Sequence, residues 1–142
     1  MYNLFVKGIN VAVIGALATF MDKYPVLLTV LNKSKHPSSD WDFFMTVAGA
    51  GSYLLTNKVG QDTFKEILRQ LSELDSQMPE GLNNFFSFME ERKNEDNNTE
   101  AEIGFWVLWN VKGNPPAHDE SKELAPAIGN FLFNVIKDLS HT

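Results

Sequence analysis

Apolar residues recur at helical spacing in segment after segment of this chain, and proline, glycine or a cluster of asparagine and serine breaks off each one. Such a pattern confines the chain to helices joined by short connections. The clearest case follows Gly60. Phe64, Ile67, Leu68, Leu71 and Leu74 share one face of a helix that starts at Gln61 or Asp62, while Lys65, Glu66, Arg69 and Glu73 turn to water. Pro79 and Gly81 punctuate the stretch, and Leu82, Phe85, Phe86 and Met89 then repeat at the same spacing. A last stripe, Leu124, Ile128, Phe131, Leu132, Val135, Ile136 and Leu139, marks a final helix. Its regular part is expected to begin around Pro126, because proline in a first turn loses no hydrogen bond and has its φ already set.

One segment is apolar on almost every side. Asn3 to Asp22 carries Gly8, Ala12, Gly15 and Ala16 among branched side chains, which predicts a central helix that another helix approaches closely. Tyr24-Pro25 interrupts it. A short second helix over Val26 to Leu31 and a polar loop over Asn32 to Ser39 are expected next. Ser38 or Ser39 is placed to cap a helix running to about Asn57, with Asp40 and Asp42 favoured in its first turn by the helix dipole. In its middle stands a run of small residues, Ala48-Gly49-Ala50-Gly51-Ser52. Thr99 and Glu102 have capping-box spacing, which starts a helix at Glu100 that ends near Gly113. Phe105-Trp106-Val107-Leu108-Trp109 is β-prone, so a short extended segment at 105–109 stays open as an alternative.

The fold class that follows is all-α: a single-domain bundle of about six to seven helices over residues 1–142, with Asn3 to Asp22 and Leu124 to Leu139 near its centre. A chain of 142 residues buries roughly 68 to 70% of its unfolded surface, enough for one core without staples. Eleven Phe and three Trp supply large flat side chains to fill it.

The absence of cysteine excludes a disulfide framework, a thiolate nucleophile and thiolate metal or iron–sulfur sites, and it suits a reducing, cytoplasmic setting. A net charge of −6 opposes general binding to nucleic acid, which needs clustered cations to release counterions; Lys33, Lys35 and His36 are too small a group to reverse it. Lys7 followed by an apolar run and Ala16-Leu17-Ala18 resembles a secretory signal, but the 14 residues between Lys7 and Asp22 fall short of the ~20 a spanning helix needs. A buried helix and no membrane partner are the expectation.

Catalytic motifs are sparse. Gly49-Ala50-Gly51-Ser52 lacks the spacing and the lysine of a phosphate loop, so close helix packing is its expected role. Of three histidines only His118 has acidic neighbours, in Asp119, Glu120 and Glu123, and acids ahead of a helix serve its dipole equally well. Ser52, Ser72, Ser76 and Ser87 lack an elbow sequence, and adjacent Glu90 and Glu91 cannot face each other as an acid/base couple. Trp41, Trp106 and Trp109 fit a core better than a ligand cavity. Neither a cofactor nor a metal site is assigned, and catalysis is not expected.

Charge is concentrated in one place. Between Glu90 and Glu102 stand six carboxylates against two cations. Framed by helices, that stretch would steer a cationic protein partner, with nearby apolar groups supplying the hold. Glu90, Glu91, Glu95, Asp96, Glu100 and Glu102 are the candidate partner-binding residues, joined by Asp119, Glu120 and Glu123. The expectation is a non-catalytic acidic binding or inhibitory module. Bacterial immunity proteins, which neutralise basic toxin domains such as nucleases, share this broad character, although no motif of theirs is present and no residue role is taken from them. Two other classes stay open: a helical enzyme or sensor with a hydrophobic pocket that uses His118 and its acidic neighbours, and a structural or oligomeric component.

Overall fold

The computed structural model describes residues 2–25, 38–57, 59–92, 99–112 and 116–140. Among them run six α-helices and no strand: α1 (Tyr2–Lys23), α2 (Ser38–Thr56), α3 (Gln61–Leu74), α4 (Met78–Arg92), α5 (Thr99–Lys112) and α6 (His118–Ser140). The all-α bundle expected from the periodicity is the fold observed. The β-prone run at 105–109 lies inside α5, where Trp106, Val107 and Leu108 are buried, so tertiary packing overrides local propensity. The expected short helix over Val26 to Leu31 lies outside the described residues.

The centre of the bundle is α2. It packs on each of the other five helices, and it is buried without a break from Met45 to Ser52. Its small residues explain how neighbours surround it. A Cβ on Gly49 would lie 2.8 Å from the Ile9 Cγ2 of α1, and one on Gly51 would overlap the Phe85 ring of α4. Ser52 keeps its hydroxyl satisfied inside this packing by donating to the Ala48 carbonyl oxygen at 2.7 Å.

Helix α1 differs from its expected central role. It buries Val6, Ile9, Val13, Leu17 and Phe20 on one side but leaves Val11 61% and Ile14 41% exposed on the other. Among the described residues nothing lies within 4 Å of a Cβ built on Gly8 or Gly15, so these glycines mark no close approach there. Two polar contacts fix the inner face: Gln70 Oε1 of α3 accepts from the Val6 amide at 3.0 Å, and Asn10 Nδ2 donates to Thr46 Oγ1 of α2 at 2.9 Å.

The tightest helix pair is α5 with α6. A Cβ on Gly104 would fall inside the radius of the Ala125 carbonyl oxygen, and one on Gly129 would do the same at Glu100. Since 104 meets 125 while 129 meets 100, the two helices run antiparallel and touch backbone to backbone. This contact accounts for the early start of α6. The helix begins at His118, not near Pro126, and Pro126 sits inside it. A proline there removes one ladder bond and crowds the carbonyl a turn earlier, at a cost of about 3 kcal/mol. Leu124 and Ala125 are each 1% exposed, and the Ala125 backbone is seated against Gly104 of α5 ahead of the proline, which holds the preceding turns helical. One core cluster draws side chains from all six helices.

Candidate functional site

The acidic stretch lies where α4 ends and α5 begins. Its middle, with the candidate residues Glu95 and Asp96, lies outside the described residues, while Glu90, Glu91, Arg92, Thr99, Glu100 and Glu102 belong to the two helices. Glu90 and Glu91 are exposed on the last turn of α4, and Glu100 is half-buried in the first turn of α5. Glu100 and Glu102 stand where a helix dipole favours negative charge, as Arg92 does at the other pole.

Glu102 has a different role from the one its sequence position suggests. Its residue is only 7% exposed, and its carboxylate pairs with the Arg92 guanidinium: Oε2 takes the Nε hydrogen, and Oε1 accepts from Nη2 at 3.3 Å. The capping-box spacing does mark the start of α5, yet the glutamate side chain reaches across to α4. It therefore compensates a cation of its own chain and presents no negative charge outward.

Arg92 is held from a second direction by aromatic rings. Its guanidinium carbon lies 5.2 Å from the Phe88 centroid and 4.9 Å from that of Phe105. Those two rings are stacked at 6.1 Å, and Trp109 meets both edge-on, at 6.4 Å from Phe88 and 5.7 Å from Phe105. A guanidinium over an aromatic face contributes about 0.5 to 2 kcal/mol, more as water is excluded. The tryptophans divide: Trp106 is 3% exposed and fills the core, whereas Trp109 is 38% exposed. The side chain of Trp41 is outside the description.

Two concavities flank this corner. One, of about 380 Å³, is lined by Leu55, Phe86, Met89, Glu90, Arg92 and Glu102 among others. The other, of about 290 Å³, opens beside Trp109 and carries Glu91 together with Asn84, Ser87 and Asn110. Asn110 spends its amide on the Trp106 carbonyl at 2.8 Å. An apolar groove of about 430 Å³ lies elsewhere, between α1 and α6, with Phe20, Tyr24, Ala127 and Phe131 in its wall.

The remaining candidates sit apart. Asp119 and Glu120 lie in the first turn of α6, and Glu123 is exposed on that helix. Among the described residues no group of three His, Asp or Glu side chains is placed to hold a metal ion, and no helix is long and apolar enough to cross a membrane. Sequence reasoning missed Arg92, Phe88, Phe105 and Trp109 as one unit; the i, i+4 spacing of Arg92 after Phe88 and of Trp109 after Phe105 is the signal that would have found it. Set against known protein families, curated proteins and solved structures, the chain matches none.

Proposed function

We propose that this protein is a non-catalytic binding module that docks a basic protein partner at the α4–α5 corner, in the manner of an inhibitor that neutralises a cationic toxin domain. One observation carries the reading. The corner already holds a guanidinium between a carboxylate and aromatic faces, in Arg92 with Glu102, Phe88 and Phe105. Immediately beside it the same two features recur open to solvent, in Glu91 and Trp109, which line one concavity. An incoming arginine or lysine finds there the environment that Arg92 occupies within the chain.

The surplus of acid supplies the rest. Long-range attraction gathers the partner and raises its association rate toward roughly 10⁸ M⁻¹s⁻¹ at low salt, while the partly exposed tryptophan provides a desolvated anchor. The test uses an arginine-rich peptide as the probe, followed by stopped-flow tryptophan fluorescence at two ionic strengths. Replacing Glu90, Glu91, Glu95 and Asp96 by Gln or Asn is expected to slow association about tenfold and flatten its salt dependence, with melting unchanged. Trp109→Ala is expected to speed dissociation instead. Association that is indifferent to the four neutral replacements rules the corner out as the docking site.

A further inference from the structure

The inward side of α1 is committed to the core; its outward side is not. Lys7, Val11, Ile14, Gly15, Ala18 and Asp22 are all exposed. At about 100° per residue these six fall within an arc of about 100°, so they form one continuous strip along the helix. Valine and isoleucine stand there in water beside alanine and glycine, and a grouped apolar patch of this kind is the ordinary mark of an interface.

The order of residues along the strip identifies what covers it. Counted outward from the point between Ile14 and Gly15, the strip meets Ile14 and Gly15, then Val11 and Ala18, then Lys7 and Asp22, at equal distances in the two directions. Each pair is complementary: a large side chain with a small one, or a cation with an anion. A second α1 running antiparallel, related by a two-fold axis through that point, sets Val11 level with the small residue Ala18 of its partner and Lys7 level with the partner's Asp22. Symmetry makes every such contact twice. A parallel arrangement would place lysine on lysine and aspartate on aspartate.

We propose that the outer face of α1 is a self-association surface, which pairs two copies of this chain antiparallel about a two-fold axis between Ile14 and Gly15. Gly15 and Ala18 keep the strip low enough for the two backbones to come close, and among the described residues nothing fills the space above Gly15. The helix of 22 residues is about 33 Å long. A single helix pair of that length covers less than the ~800 Å² per partner of a standard interface, so the dimer is weak and forms in the micromolar to submillimolar range. The rim charges choose the orientation more than they add affinity.

Sedimentation equilibrium of the full chain from low micromolar to millimolar concentration tests this. The apparent mass is expected to rise from 16.0 kDa toward twice that value. Ile14→Asp keeps the protein monomeric throughout without lowering its melting temperature. Lys7→Glu and Asp22→Lys each weaken association several-fold, and the double variant restores it. Because the chain has no cysteine, Ile14→Cys alone should oxidise to a cross-linked dimer. Lys7→Cys alone should not, since its two copies stand about 22 Å apart along the paired helices. A monomer at every concentration overturns the proposal, whether or not that monomer binds phospholipid vesicles. So does a dimer indifferent to Ile14→Asp, or one that cross-links through Lys7→Cys.

Discussion

Helix α1 carries Gly8, Ala12, Gly15 and Ala16 among branched apolar residues, and α2 carries Ala48, Gly49, Ala50 and Gly51 in similar company. Yet α2 is enclosed from Met45 to Ser52, while α1 exposes Val11, Ile14, Gly15 and Ala18. The distribution of the small residues separates the two. In α2 they are consecutive, and four successive residues step completely around a helix, so the cylinder is thin on every side at one level. Ile9 reaches one side of that level and Phe85 another. In α1 the small residues lie along one flank, and the helix keeps its full width elsewhere. Small-residue content is therefore a poor guide to burial; the way the residues are spread around the axis decides how many neighbours are admitted.

The sharpest test of this contrast is the pair in which glycine admits a backbone. Gly104→Ala or Gly129→Ala sets a methyl group on a carbonyl oxygen of the facing helix, which cannot rotate away as a side chain can. Either change is expected to cost about 3 kcal/mol, the upper end of overpacking penalties, and to lower the melting temperature by roughly 10 °C. Thermal melts followed by circular dichroism read this directly. Loss of less than a degree would mean that α5 and α6 do not meet at these glycines.

The same substitution in α1 and α2 should then change sign. Gly51→Ala gains about 1 kcal/mol of helix propensity but drives a methyl group into the buried Phe85 ring, for a net loss of about 1 to 2 kcal/mol. Gly8→Ala meets nothing within 4 Å and keeps its propensity gain of about 0.5 to 1 kcal/mol. Chemical denaturation of both variants checks the difference. If both stabilise, the enclosure of α2 is looser than its burial indicates.

This contrast also marks what the sequence made legible. Periodicity and punctuation placed α2 between Ser38 and Thr56 and α3 between Gln61 and Leu74 almost to the residue. Those signals are local. Which helix lies at the centre is a long-range matter, and hydrophobic pattern alone placed α1 and the Leu124 to Leu139 stripe there instead of α2. The start of α6 failed for a related reason: Pro126 resembles a first-turn proline, and only the seating of the Ala125 backbone on α5 makes it an interior one. At the α4–α5 corner the exposure of Glu90 and Glu91 was readable from the charge run. The inward turn of Glu102 was not, because a capping glutamate and an ion-paired one occupy the same sequence position, and the crossing of α4 with α5 chooses between them.

The smallest effect concerns the edge of the enclosed helix. Asp42, near the start of α2, is half-buried, and that burial pushes its carboxyl pKa above the usual value of 3.8. The folded state then binds this proton more tightly than the unfolded chain does. Whatever stability the protonated form contributes is present below the unfolded pKa and is lost as pH rises through the folded one. At neutral pH the ionised Asp42 is a slight liability, only partly offset by its favourable place near a helix N-terminus. Asp42→Asn removes it, so the variant should melt about 1 °C higher than the parent at pH 7. The gain should vanish as the pH falls below about 4, where both proteins carry a neutral group. Parallel melts across that range separate burial from dipole: a variant that melts lower than the parent at pH 7 would mean that the helix dipole outweighs desolvation at this position, and that the enclosure of α2 stops short of its first turns.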